Sequence, residues 1–386
     1  MSSRAAITWT NRTGRALSLL EAIIQLPVTI EGIGTSQLKL PGQMGRISTT
    51  LELAGCGHVG RGEDISYSPV TQASLPGVYG ALDLSGVWTM GSLAVRLDEL
   101  GDFVPKTKES DDKPGYHRWA LESAALDLAL RQRGCDLAEL IGAEWEPVRV
   151  SLSMGLGTPP SADVVRRWVE RDAAVTFKLD TSMAWDHTLV AELAAVGDGH
   201  AVSSVDFKGL YSGDWIDNDY PPTLYVAVGS GLPGALIEDA KLSAYVEDAL
   251  DEDALGRLAW DYPITKPDDV PGLAGSSATF SDLRPGAINI KPSRFGSFER
   301  LLGTIILCDR EGIPCYSGGQ FELGIGRTQV QAIASLCYPD APNDCAPVMF
   351  HLATAESDDV LLGPVVPPTG GTGFGWDAPT RARPLT

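Results

Sequence analysis

Five ionisable side chains recur through the second half of this 386-residue chain, each at the C-terminal end of a short apolar run. They are Lys178 in Val175-Thr-Phe-Lys-Leu-Asp180, Asp206 in Ser204-Val-Asp-Phe-Lys-Gly209, Glu238 in Ala235-Leu-Ile-Glu-Asp-Ala240, Asp261 in Leu258-Ala-Trp-Asp-Tyr-Pro263 and Lys291 in Ala287-Ile-Asn-Ile-Lys-Pro292. Successive members lie 28, 32, 23 and 30 residues apart, about the length of one strand–helix unit. A (β/α)8 barrel gathers its catalytic groups at the C-terminal ends of several strands. Three carboxylates flanked by two lysines supply what is needed to hold a hard divalent cation and move a proton beside it. This is the pattern of an enzyme.

The elements that must carry these residues are legible in outline. From residue 148 the chain alternates short strands and helices: a strand at 148–154, a helix at 161–171 opened by a Ser161 cap, a strand at 175–179 and a helix at 187–196. The alternation runs to about residue 345, as a parallel sheet requires. Residues 1–145 read differently, as strands followed by helices. Residues 46–52 alternate polar and apolar, and 64–69 form a second strand-like run ended by proline. Residues 92–103 suggest a helix with Leu93, Val95, Leu97 and Leu100 on its apolar side. The clearest helix spans 116–133, with Trp119, Leu121, Ala125, Leu128 and Ala129 inward and Gly134 as its stop. The glycines of Gly57-His-Val-Gly-Arg-Gly-Glu63 lack the βαβ context of a phosphate-binding loop and read as a turn. Three segments result: an α+β domain over 1–145, a barrel over 146–348, and a Gly/Pro-rich tail over 349–386. The tail's Phe374 and Trp376 are expected to pack back on the body.

Composition narrows the function. The net charge of −20 argues against nucleic acid, which selects basic surfaces. No apolar run is long enough to span a bilayer, and Met1-Ser-Ser-Arg-Ala-Ala lacks the features of a secretory signal, so a cytoplasmic location is expected. Six cysteines without CxxC or zinc spacing read as small apolar packing residues. The five histidines show no metal spacing, and His187 sits where a helix starts.

Four segments together resemble the enolase superfamily, in its branch of muconate cycloisomerases, o-succinylbenzoate synthases and N-acylamino acid racemases. The helix Trp119-Ala-Leu-Glu-Ser-Ala-Ala-Leu-Asp-Leu-Ala-Leu130 looks like that of the family's capping domain. Ile288-Asn-Ile-Lys-Pro-Ser-Arg-Phe-Gly296 looks like the sixth barrel strand with its catalytic lysine. Tyr316-Ser-Gly-Gly-Gln-Phe-Glu-Leu-Gly-Ile-Gly-Arg327 is similar to the seventh-strand pattern, and the ordered Asp, Glu, Asp series is the fourth segment. The resemblance implies a modified TIM (β/α)8-type barrel under an α+β N-terminal capping domain completed by the C-terminal tail. It also implies a shared step, in which a base removes the proton α to a carboxylate and Mg2+ stabilises the enediolate. Asp206, Glu238 and Asp261 would bind Mg2+, with Mn2+ as an alternative hard ion, and Lys178 and Lys291 would be the acid/base pair on strands two and six. The outcome would be racemisation, epimerisation or cycloisomerisation of a small carboxylate, or alternatively a syn elimination of the o-succinylbenzoate synthase kind. Family members are frequently homo-oligomers.

Three departures from the family pattern bear on that chemistry. The usual Lys-x-Lys of the second strand is Thr176-Phe-Lys178, the third-strand Asp-x-Asn is Asp206-Phe-Lys208, and the fifth-strand Asp-Glu is Asp261-Tyr262. Lys208 either competes with the cation or binds an anionic arm of the substrate. Glu322 and Ser317 are further substrate-side candidates at the seventh strand. The departures keep open a second reading, a catalytically weakened barrel that binds a carboxylate without turning it over. Sugar-acid dehydration, which needs another acid at the barrel mouth, is disfavoured by Gly318-Gly-Gln-Phe-Glu322.

Overall fold

The computed structural model describes residues 7–40, 45–105, 113–211, 216–347, 365–366 and 370–374. Helix α1 (Arg15–Gln25) opens the fold and buries Ala16, Leu19 and Ile23, one stripe at helical spacing, against the helices Met90–Leu100 and Phe298–Glu311. Before it, Trp9 and Asn11 close the base of the barrel. Trp9 Nε1 donates to Cys315 O at 3.1 Å, and Asn11 both donates to Ile313 O and accepts from Cys315 N.

The cap consists of β1 (Pro27–Ile30), β2 (Gly32–Lys39), β3 (Ile47–Gly55), β4 (His58–Asp64), α2 (Pro69–Gly80), β5 (Gly86–Thr89), α3 (Met90–Leu100), α4 (Pro114–Arg133) and the single turn α5 (Leu137–Leu140). β1 pairs antiparallel with β5, and β2, β3 and β4 form an antiparallel sheet. α4 is buried nearly all round, from Tyr116 to Leu130, because it lies between that sheet and the barrel. It ends at Gly134, whose φ of 74° suits the left-handed stop.

Residues 58–63 belong to a strand rather than to a turn. Only Cys56 and Gly57 turn, both with positive φ, as a two-residue hairpin requires. Gly60 and Gly62 face the backbone of α4: a Cβ on Gly60 would sit 2.2 Å from Leu128 N, and one on Gly62 2.1 Å from Ala120 O. The glycines serve close helix–sheet packing. Residues 65–68 are not the expected strand, because the Asp64 carboxylate accepts from Ser66 N and Ser66 Oγ and bends the chain out of the sheet. Ser68 then caps α2 through Thr71 N. Val95, expected on the apolar side of α3, is 59% exposed, since Met90, Leu93 and Leu97 form the buried face, with Leu100 half-buried against the core. Among the cysteines, Cys308, Cys315, Cys337 and Cys345 are buried as expected, but Cys56 is exposed at the hairpin turn and Cys135 half-buried.

The barrel follows as β6 (Val148–Arg149), β7 (Ser151–Gly155), α6 (Asp163–Arg171), β8 (Thr176–Asp180), α7 (His187–Ala194), β9 (Val202–Asp206), α8 (Pro222–Gly231) and β10 (Leu236–Glu238). It continues through α9 (Ala244–Ala249), α10 (Glu252–Leu255), β11 (Leu258–Trp260), β12 (Ala287–Ile290), α11 (Pro292–Phe295), α12 (Phe298–Glu311), β13 (Cys315–Ser317) and α13 (Ile325–Cys337). α6 starts two residues later than the serine signal suggests, with Ser161 Oγ accepting from Asp163 N. Strands β7 to β13 form one seven-stranded parallel sheet in sequential order. The eighth position is reduced to Asn343 and Asp344, which bridge to Val150 and Gly318 and so join the first strand of the sheet to the seventh. Strand interiors such as Phe177, Leu179, Val205, Ile237, Ile288 and Ile290 fill the core.

Two cap carboxylates bolt this barrel in place. Glu63 is buried and accepts from Leu323 N, Gly324 N and Gly326 N at the start of α13, as well as from Ser48 Oγ. Glu122 accepts from Phe298 N at the start of α12. Helix N-termini favour negative charge, so each contact uses the barrel helix's own unsatisfied donors. Of the tail, Phe374 is buried 6.4 Å from Phe298, its N–H bonded to Asp127, and β14 (Val365–Val366) pairs with β6. Trp376 lies outside the described residues. Among the described residues no helix is long and apolar enough to cross a membrane.

Candidate active site

Strand register brings the five spaced residues to one end of the barrel. Asp206 ends β9 and lies directly beside Glu238, which ends β10. Asp261 follows β11 and Lys291 follows β12, while Lys178 reaches inward from β8. All five are buried, with Asp206 and the two other carboxylates at 1% exposure or less. One oxygen from each of Asp206, Glu238 and Asp261 lies within 4.8 Å of the other two. Three hard oxygen donors that close together, buried at a strand-end cleft, are a donor set suited to Mg2+.

The mutual repulsion of the three carboxylates is offset by basic side chains. Lys178 Nζ lies 2.5 Å from Glu238 Oε1 and 3.2 Å from Asp206 Oδ2. Lys291 Nζ lies 2.7 Å from Asp261 Oδ2, and Arg294 pairs with the other oxygen of Asp261. Lys208 bridges Asp180 at 2.8 Å and Asp206 at 2.9 Å. Burial would raise the Asp206 carboxyl, but Lys208 and Lys178 hold it below the usual range. For Glu238 burial wins, and its carboxyl is raised despite Lys178. Burial pulls the Lys178 ammonium down, yet Glu238 and Asp206 together leave it raised well above an ordinary lysine.

A layer of uncharged donors orients the carboxylates. Tyr316 donates to Glu238 Oε2 at 2.6 Å, joined by Ser204 Oγ and Asn289 Nδ2. Asp239, held at a left-handed φ of 49°, accepts from Asp261 N and Tyr262 N, both at 2.9 Å. It thereby anchors the end of the fifth strand from below, although Tyr262 stands where the family pattern has a carboxylate. Thr176, at the first position of the expected lysine pair, bonds Ser151 Oγ at 2.7 Å within a hydroxyl cluster that also includes the half-buried Ser203.

Above the carboxylates opens a cavity of about 490 Å3 between cap and barrel. Lys178, Asp206, Lys208, Lys291 and Arg294 border it from the barrel, and Tyr67, Lys113 and Tyr116 from the cap. Glu322 and Ser317, expected on the substrate side, do not border it. Phe321 has a φ of 58°, and this left-handed residue turns Glu322 inward, where it accepts from Gln320 N and pairs with Arg327. Ser317 is fully buried on β13. Gly319, Gln320 and Phe321 take the wall position instead.

Two charged bordering residues, Asp344 and Lys113, went wholly unnoticed in the sequence reading. Asp344, on the vestigial eighth strand, lies 3.8 Å from Lys178 Nζ, and burial raises its carboxyl to about 7 against the pull of Lys178. No apolar run announces a two-residue strand. Lys113 precedes the α4 signature and carries no motif.

The chain has relatives among known proteins. The family model described as "Domain of unknown function (DUF8230) N-terminal domain" matches residues 21–140, and the one described as "Domain of unknown function (DUF8230) C-terminal domain" matches residues 144–352. The N-succinylamino acid racemase of an Amycolatopsis species is 26% identical over 66% of this chain and 67% of its own length. The o-succinylbenzoate synthase of Geobacillus stearothermophilus is 25% identical over 68% of each. In three dimensions the crystal structure of dipeptide epimerase from Methylococcus capsulatus complexed with Mg ion superposes with a TM-score of 0.62. That match has 21% identity and covers 90% of this chain and 99% of the other.

Proposed function

This chain belongs to the DUF8230 family and to the enolase superfamily, and from that premise we propose that it abstracts the proton α to a carboxylate of a small substrate. The reaction is Mg2+-dependent, passes through an enediolate, and ends in racemisation, epimerisation or cycloisomerisation. The carrying observation is the convergence of Asp206, Glu238 and Asp261 within 4.8 Å, with Lys178 and Lys291 bordering the same cavity.

Asp206, Glu238 and Asp261 would hold the cation. When bound, Mg2+ supplies Lewis-acid stabilisation of the charge that builds on the substrate carboxylate. Lys178 acts as base only when Glu238 and Asp206 no longer fix its proton, since a lysine must be neutral to accept one. Lys291, on the sixth strand, holds or returns a proton at its Nζ, and with Lys178 it allows inversion at carbon. Arg294 and Asp239 keep Asp261 in position. Tyr316, Ser204 and Asn289 do the same for Glu238.

A syn elimination employs the same residues, with one lysine as base and the other as a fixed cation. Likeness to an o-succinylbenzoate synthase supports it as the alternative. A weakened carboxylate-binding barrel is supported by the Lys208–Asp206 contact.

The test is incubation with Mg2+ in deuterated buffer against N-acylamino acids, dipeptides, succinylbenzoate precursors and lactones. Label at the α-carbon reports proton transfer, and loss of water separates elimination from isomerisation. Lys291→Ala should abolish labelling while calorimetry still detects Mg2+ binding. Undiminished labelling would remove Lys291 from the reaction, and no labelling of any compound by the wild type would favour the weakened barrel.

A further inference from the structure

A second cavity, of about 360 Å3, lies at the other end of the barrel. That volume is near the small end of the range for ligand pockets. Thr176, Val202 and Leu236, the first residues of β8, β9 and β10, border it, and Trp9 stands across from the strands. Asp206 and Glu238 end β9 and β10, so the two cavities are separated by the length of the strands. Nothing in the proposed proton transfer uses this lower space.

Its charge runs against that of the chain. Acidic residues outnumber basic ones by 50 to 30, yet the lining holds Arg149, Arg257 and His200 and no Asp or Glu. A concave surface of one sign gathers counter-ions. Arg257 is 3% exposed, and the protein itself fixes its guanidinium. Nη1 donates to Leu232 O and Ala235 O, Nη2 to Gly229 O, and Nε to Asp253 at 3.1 Å. Three of these four acceptors are neutral carbonyls. Asp253 is half-buried and does not border the cavity, and burial lowers the guanidinium despite it. Arg149, which is exposed, brings a second planar fork of donors, the geometry that suits carboxylate and phosphate oxygens. Trp9, Val202 and Leu236 offer apolar wall.

We propose that this cavity is a second binding site, distinct from the reacting one, for a small oxyanion with a compact apolar body, a carboxylate or a phosphate ester. The arginines receive the anionic head, and the indole and aliphatic wall receive the body. A neutral compound of the same shape leaves the concentrated positive charge unanswered and binds more weakly. The proposal stands apart from the proton-transfer reading and does not need it.

The test titrates the metal-free protein calorimetrically with 4-bromobenzoate, 4-bromophenyl phosphate and the neutral 4-bromobenzamide. At least one anion should bind about tenfold or more tightly than the amide, and the tighter of the two identifies the kind of head group. Arg149→Met should weaken that anion about tenfold and Arg149→Lys should recover part of the loss, while Lys208→Met, at the barrel mouth, should leave it unchanged. In crystals grown with the tighter anion, anomalous scattering should place the bromine beside Trp9. Anions bound no better than the amide overturn the proposal. So do bromine found at the barrel mouth alone and an affinity that Arg149→Met leaves unaltered.

Discussion

Lys208 donates from a single ammonium to Asp180 at 2.8 Å and to Asp206 at 2.9 Å, so a protein cation lies against a carboxylate of the trio proposed to hold the divalent ion. The residue has a left-handed φ of 50°, and its own N–H bonds Asp206 Oδ1. A divalent ion entering between the carboxylates meets this charge at short range, where the interior screens it poorly. Asp180 offers Lys208 a place to withdraw to. Lys208→Met should therefore tighten Mg2+ binding by about tenfold, roughly 1.4 kcal/mol, in calorimetric titration. Unchanged or weaker binding would mean that the ammonium does not oppose the ion.

Asp344 makes stability depend on pH in a definite direction. Its folded carboxyl is raised from 3.8 to about 7, chiefly by burial. Below about pH 4 both folded and unfolded forms are protonated and the shift costs nothing. Between about 4 and 7 the unfolded chain loses the proton first, so this residue's contribution to stability falls as pH rises, and the penalty is complete above 7. At about 1.4 kcal/mol per unit, Asp344→Asn should stabilise the chelator-treated protein by a few kcal/mol at pH 8. That gain should vanish near pH 4 in urea titrations. A gain independent of pH would assign the effect to something other than ionisation.

Glu63 carries the junction between cap and barrel. Its carboxylate serves three backbone N–H groups at the start of α13 and the Ser48 hydroxyl, all away from water. Glu63→Ala leaves those donors without an acceptor and should cost about 3 kcal/mol in chemical denaturation. Glu63→Gln, which keeps one acceptor oxygen, should cost less. Equal losses for the two would show that shape rather than hydrogen bonding matters there.

The glycines of β4 offer a contrast in packing. Gly60→Ala places a methyl 2.2 Å from Leu128 N and 2.3 Å from Ala124 O, backbone atoms that move only if α4 moves. A loss of about 3 kcal/mol is expected. Gly77→Ala, in α2 with nothing within 4 Å of the new methyl, should instead stabilise by up to about 1 kcal/mol through helix propensity. Melting temperatures of the two variants, moving in opposite directions, check both.

Much of this protein was decided locally. The apolar runs that end in Lys178, Asp206, Glu238, Asp261 and Lys291 are strand signals of period two or continuous burial, and each carries its ionisable residue to the same end of a parallel sheet. The buried helix α4 and its glycine stop were equally legible, because capping and helical spacing involve neighbours in sequence. Partnership between distant residues was not. A two-residue eighth strand has no periodicity, yet Val150 and Gly318 hold Asp344 at the cavity. The turn of Glu322 toward Arg327 depends on one left-handed residue, Phe321, and the place of Lys113 beside Tyr262 depends on how closely α4 meets α11. Chain order sets which groups reach the barrel mouth. Packing alone settles which of them are already paired and which still face the cavity.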